Sequence, residues 1–373
     1  MGGFGRVGIE VTRYLLKHTS YLITLASREA RILPSDIPDR ERISRCQLDA
    51  VNDPKGLESF CQSVDLIISC IGPSGIIGDR VAKICKKTAT PLVDAGGYDL
   101  VLNSLEHDEK NKPSPVPLII NVGLLPGLSG MFPKYVLDTS AEGRNIESMD
   151  VQYVGRDAWS YNSAWDIING LGDFGDEKGF CYWQGQKIVN VSMLKAGNKA
   201  HFPAPIGSIS TMLLYAEEIV RLAKSYNIQT ARVFGANIGR RATFICLIAK
   251  LFKMYKSSSG IHRAANWLVK ASKKDMRKLQ PAYGIQVDVS YQSGERVRGQ
   301  ITLVDTYEAT GSIIGIAAHC FLENPSIVMG YICYMRPLIP SCLCQQLEAS
   351  SLLTLKHIDK ESNLEFKTTQ ESQ

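Results

Sequence analysis

The sequence predicts a doubly wound α/β domain interrupted by an inserted α+β domain. One observation is a G-x-G-x-x-G turn at Gly3, Gly5 and Gly8, inside MGGFGRVG. Another is a steady alternation of strand and helix patterns as far as about residue 130. Beyond that point glycine and aromatic residues thicken, and later segments alternate as strands of an open-faced sheet do.

Taken in order, a helix runs from Gly5 to about Lys17 with Val7, Ile9, Val11, Leu15 and Leu16 on its apolar face. YLITLASRE reads as a strand ending in Ser27-Arg28-Glu29, and RISRCQLDAVND as a strand ending near Asp49. DPKGLESFCQSV is helical, and VDLIISCIG is a nearly continuous apolar strand, as in a parallel sheet covered on both faces. PSGIIGDRVAKICKKT is a helix, while ATPLVDAGGYD and VPLIINVGLLPG give two more strands. In the second domain QKIVNVSML, YGIQVDVSYQSG and RVRGQITLVD read as strands. DTYEATGSIIGIAAHCFLEN returns as a long apolar helix that packs back on the first domain. The expected units are 1–130, 131–304, C-terminal helices over 305–355, and a frayed polar tail over 356–373. A dinucleotide turn normally follows a buried strand, and almost nothing precedes Gly3. The expectation is a truncated first strand, with apolar codons in frame upstream of Met1.

The 373 residues are 45% apolar and 21% charged, which suits two packed cores. A net charge of +5 is too mild to signal nucleic acid. No apolar run reaches the roughly 18–20 residues of a membrane span, and no secretory pattern opens the chain. The ten cysteines are scattered; only Cys342 and Cys344 are close, so neither a disulfide framework nor a metal site is expected. A reducing, cytoplasmic setting is the expectation. Lys250–Lys278 is basic, with Asp275 its single acid. It reads as a solvated helix face, or as a docking surface for an acidic carrier protein or an anionic lipid surface.

In the glycine turn Gly3 allows the tight bend, Gly5 admits the pyrophosphate and Gly8 lets helix and strand pack closely. Phe4, Arg6 and Val7 complete the loop, and the helix N-terminus favours the phosphates. Ser27 and Arg28, where an acid would select NAD, favour the 2′-phosphate of NADP; Glu29 competes for that position. Asp49 is placed to meet the adenine edge or to cap the next helix. Cys70, Ile71, Gly72 and Pro73, with Gly96, lie where the nicotinamide half passes the sheet.

These stretches together resemble the saccharopine dehydrogenase (saccharopine reductase-like) family. The resemblance is carried by GGFGRVG, IISCIGPSG, PLVDAGGYD, INVGLLPGLSG, HFPAPIG and DTYEATGSIIGIAAHCFLE. It implies a Rossmann domain, an inserted domain that often forms a homodimer, and NAD(P)-linked reduction of C=N bonds. No basic cluster for several substrate carboxylates stands out, so a specialised cyclic-imine reductase of secondary metabolism fits as well as saccharopine chemistry. A trans-acting enoyl reductase on a carrier-bound acyl chain, and a catalytically silent scaffold, are the other readings.

An imine accepts hydride when its nitrogen is protonated, so an acid or a carboxylate is sought near the crevice. Asp94, Tyr98 and Asp99 come after the fifth strand; alternatively Asp94 caps the turn and Tyr98 packs. Trp159, Tyr161 and Trp165, with Asp166 as polar anchor, could line a substrate pocket or plug a domain interface. His201 is a third proton-donor candidate, or a structural histidine.

Overall fold

The computed structural model describes residues 1–323 apart from 30, 97, 112, 142, 172–179, 238 and 304, with the backbone of Tyr331–Cys333 and Thr354–Glu361. Side chains at 98–100, 109–111 and 237 lie outside that description. The first unit is α1 (Arg6–His18), β1 (Ile23–Ser27), β2 (Ile43–Gln47), α2 (Pro54–Gln62), β3 (Ile67–Ser69), α3 (Ser74–Ile77), α4 (Arg80–Thr88), β4 (Leu92–Asp94), α5 (Tyr98–Asn111), β5 (Leu118–Ile120) and α6 (Ser129–Ser140). The second is β6 (Ile146–Arg156), α7 (Tyr161–Gly170), β7 (Cys181–Gln184), β8 (Lys187–Asn190), β9 (Gly197–His201), β10 (Ser208–Leu213), α8 (Glu217–Ser225), β11 (Thr230–Asn237), α9 (Arg240–Leu251), α10 (Ser258–Asp275), β12 (Ala282–Tyr291) and β13 (Arg296–Leu303). Then come α11 (Thr306–Glu323), β14 (Tyr331–Cys333) and β15 (Thr354–Glu361).

In the first unit β1 pairs with β2, and β3, β4, β5 and β14 form a second ladder, every pair parallel. Leu92, Val93, Leu118, Ile119 and Ile120 are wholly buried, as strands covered by helices on both faces must be. Between β1 and β3 stand only Met1 and Gly2. The Met1 ammonium donates to Ile68 O at 2.6 Å, Cys70 N–H donates to Met1 O at 3.0 Å, and Gly2 N–H donates to Ala26 O at 2.9 Å.

The inserted unit is a nine-stranded mixed sheet, with β6 central between antiparallel β12 and parallel β11. One face is closed by α6, α8 and α11 through a core that includes Phe132, Leu137, Val151, Ile285 and Ile313. Helices α7, α9 and α10 form a separate layer around Trp165, Ile168, Ala249, Ala264 and Leu268.

The return of α11 to the first domain has a steric cause. A Cβ at Gly311 would fall 2.4 Å from Glu10 Cβ, and one at Gly315 would fall 2.3 Å from Tyr14 Cδ1. Two small residues one turn apart let α11 cross directly on α1, just behind the glycine turn.

Two expectations are corrected. The polar tail is not frayed from its start: Thr354–Glu361 adds a strand to the β13 edge. A bare β13 would leave a row of unpaired backbone groups, and Arg296 and Arg298 stand in register with Glu361 and Asp359. Of the C-terminal helices expected over 305–355, α11 is described and is followed by strand β14; the remainder of that expectation, at 324–330 and 334–353, lies outside the described residues. QKIVNVSML divides into β8 and a short helical turn at Met193–Lys195.

Candidate active site

The glycine turn is closed on two sides and open on the third. A Cβ at Gly8 would meet Gly2 O at 2.3 Å and Gly3 Cα at 2.8 Å, and one at Gly3 would meet Leu25 Cδ2 at 2.7 Å. At Gly5 a Cβ would approach only Gly2 O, at 3.2 Å. Packing therefore demands glycine at both flanks far more than in the middle, where a pyrophosphate needs backbone access. Gly5 is also the N-cap of α1 and gives it no side-chain acceptor. The first N–H groups of that helix, at Arg6 and Val7, remain available to an anion. These features fit a dinucleotide.

Around the turn, Phe4 lies 5.7 Å beneath the Arg45 guanidinium, a cation the sequence reading missed. Ser27 Oγ donates to Glu29 O at 2.6 Å. Glu29 faces Arg31 at 3.8 Å, while Arg28 is exposed and forms no ion pair among the described residues. Asp49 does not cap the next helix, whose N-cap is Asp53; its carboxylate accepts from Val51 N–H at 2.9 Å and from Asn52 N–H at 3.1 Å in the turn before it. The Asn52 side chain, those amides and the nearby Arg28 charge hold it below the usual carboxylate range.

Across the sheet, burial pushes the Cys70 thiol up to about 12, so it stays protonated. Cys70-Ile71-Gly72-Pro73 leads to α3, and a Cβ at Gly72 would lie 3.3 Å from Asn162 on α7. Asp94 ends β4 in register with buried Ser69, and accepts from Gly96 N–H at 2.9 Å. Burial raises its carboxyl to about 6 against that hydrogen bond. Gly96 packs on Ser74, since a Cβ there would lie 2.9 Å from Ser74 Oγ. Tyr98 and Asp99 open α5, and their side chains lie outside the described residues.

The other candidates separate. Asp166 is not a free pocket anchor: its carboxylate accepts from Ser74 N–H at 3.1 Å and from Gly75 N–H at 3.5 Å, tying α7 to the start of α3. Trp159 packs in the core of the α7, α9 and α10 layer instead of lining the pocket. His201 sits exposed on β9, its Nδ1 2.8 Å from Ser208 Oγ, and no described contact links it to Asp94 or the glycine turn.

Tyr161 and Trp165 do come together, in a groove of about 920 Å³ shared with Ile76, His262, Arg263 and Lys270. Tyr161 OH lies 2.7 Å from His262 Nδ1. This basic cluster escaped the sequence reading because its members are a hundred residues from Tyr161 and look like one side of a charged helix. Ser74 against Gly96 and Ile76 in the groove wall make α3 common to both sites.

Arg6 joins the glycine turn to the inserted domain. Its guanidinium stacks 3.4 Å over the Tyr307 ring, donates to Ala158 O at 2.7 Å and lies 3.7 Å from Asp157. Buried Asp157 also accepts from Thr306, and Tyr307 OH accepts from Ser160 N–H at 2.9 Å. A double-mutant cycle of Arg6→Ala and Tyr307→Leu is expected to show about 1 kcal/mol of coupling in unfolding. Coupling near zero would mean that the stack holds nothing.

A doubly wound sheet with an open glycine cradle and a half-buried carboxyl at the end of β4 defines a dinucleotide-binding fold. Residues 1–115 match the saccharopine dehydrogenase NADP binding domain. The match identifies an NAD(P)-dependent oxidoreductase. In fold it is similar to the apo saccharopine dehydrogenase (L-Glu forming) of Saccharomyces cerevisiae, with TM-score 0.66 and 15% identity over 96% of this chain and 98% of that one. A meso-dapdh mutant from Clostridium tetani E88 aligns at TM-score 0.42 and 12% identity, over 92% and 98% of the two chains. No curated protein matches by sequence.

Proposed function

We propose that the chain is an NADPH-dependent reductase that reduces a C=N bond. The observation that carries this reading is Asp94, the last residue of β4, a half-buried carboxyl held by Gly96 N–H and pushed up to about 6 by burial. Bound at the glycine turn, NADPH supplies the hydride. Above its pKa the Asp94 carboxylate holds the positive charge of a protonated imine, and its partial burial strengthens that attraction. An enoyl thioester carries no such cation and gains nothing from an anion there. The groove beside α3 suits a flat substrate on Tyr161 and Trp165, with a carboxylate met by Arg263 and Lys270.

Arg28 supports NADP over NAD, because an unpaired guanidinium at the end of β1 suits a 2′-phosphate. Arg28→Ala is expected to weaken NADPH roughly 10-fold and leave NADH unchanged in fluorescence titrations. Equal losses for both cofactors would remove the argument. The function itself is tested by NADPH oxidation with a cyclic imino acid such as 1-pyrroline-2-carboxylate beside an enoyl thioester. Turnover of the imine alone supports the proposal, and turnover of the thioester alone refutes it.

A further inference from the structure

The α9 helix carries a second feature that hydride transfer does not use. Its inner side, with Ala242, Ile245, Cys246 and Ala249, packs into the α7 and α10 layer. On the opposite side Arg240, Phe244, Leu247 and Leu251 succeed one another at helical spacing, and Phe252 continues past the end. Phe244, Leu247, Leu251 and Phe252 are 61%, 49%, 76% and 71% exposed. Four bulky apolar side chains within nine residues make this the densest such run among the described residues.

Among the described residues, the exposed charge around it is mostly basic. Arg240 and Arg241 lie at the start of α9. Beside them are the end of α10 and the turn after it, with Lys273, Lys274, Arg277 and Lys278 exposed. Lys253 and Lys256 stand exposed just beyond the other end. The one acid of this stretch, Asp275, is turned inward, where it accepts from Arg241 and Ala242 N–H, each at 3.0 Å, and pairs with the Arg241 guanidinium at 3.3 Å, leaving Arg240 as the cation at that end of α9. Twelve residues of α9 span roughly 18 Å, so an apolar stripe separates two cationic ends.

We propose that α9 and its basic ends dock on an anionic phospholipid surface, the helix lying in the plane of the headgroups. The apolar stripe enters the acyl boundary and the cations meet lipid phosphates and carboxylates. No helix among the described residues is long and apolar enough to cross the membrane, so the contact is interfacial. A second copy of the chain would bring like charges together. An acidic protein would match the cations but would need a pocket for every residue of a convex stripe.

The test is cosedimentation of the intact chain with vesicles of about 7:3 phosphatidylcholine to phosphatidylserine, against pure phosphatidylcholine. Partition is expected to be ~10-fold stronger on the anionic vesicles and to fall with salt. Leu247→Glu with Leu251→Glu, and separately Arg240→Gln, Lys253→Gln and Lys256→Gln together, should each reduce it ~10-fold. Because these side chains are exposed, circular dichroism and NADPH binding should match the parent chain. Equal partition on both vesicle types, or none, overturns the proposal. So does binding to poly-L-glutamate without binding to vesicles, or a concentration-dependent dimer that Leu247→Glu with Leu251→Glu abolishes.

Discussion

Asp94→Asn is expected to lower kcat for imine reduction about 100-fold while leaving NADPH affinity nearly unchanged. The amide keeps the shape, and its oxygen can still accept from Gly96 N–H, but it cannot hold a cation. The pH profile gives the sharper reading. If the carboxylate is the working form, kcat/KM of the parent enzyme climbs as pH rises through about 6 and then levels. Asp94→Asn should lose that limb. An unchanged limb in the variant would assign it to another group.

The same ionisation appears in stability, with the opposite sense. Burial raises the Asp94 pKa in the folded chain to about 6 from 3.8, so the folded state binds the proton more tightly than the unfolded one. This contribution is fully present below about pH 4 and is lost as pH rises through 6. Denaturation midpoints of Asp94→Asn should therefore vary less between those limits than those of the parent. The enzyme would work in the form of Asp94 that costs it stability.

The second large effect concerns the glycine turn, where two substitutions of equal size should part company. Gly8→Ala drives a methyl group into two backbone neighbours, at 2.3 and 2.8 Å, that cannot rotate away. A loss of about 2–3 kcal/mol in stability should accompany loss of cofactor binding. Gly5→Ala meets only Gly2 O at 3.2 Å, so the chain should unfold nearly as the parent does while NADPH binding weakens ~10-fold or more. Chemical denaturation beside cofactor titration separates the two. Equal stability losses would mean that Gly5 serves packing and not phosphate access.

Much of the doubly wound unit was legible because its signals are local. Glycine spacing, unbroken apolar runs such as LII at Leu118–Ile120, and amphipathic helices between them report on neighbours in sequence. What was hidden depends on distant partners. Asp49 and Asp166 are carboxylates beside helix starts, and each is taken up by backbone N–H groups; only the folded chain decides which N–H groups an acid meets. The Arg6–Tyr307 stack joins residues 301 positions apart, although both lie in stretches that carried the family resemblance. Arg263 and Lys270 read as solvated helix charge until α7 brings Tyr161 and Trp165 alongside them. β15 was hidden for a different reason: an edge strand of mixed charge looks like a tail until a bare neighbour gives its backbone a partner.

The central claim is that hydride passes from NADPH to the carbon of a C=N bond. The most direct measurement supplies NADPH carrying deuterium at both C4 positions of the nicotinamide, together with 1-pyrroline-2-carboxylate, and examines the amine by mass spectrometry and NMR. The account predicts one deuterium, on the former imine carbon, formed by the parent chain and about 100-fold more slowly by Asp94→Asn. Amine without deuterium, or label found only in an enoyl thioester offered in competition, would contradict it.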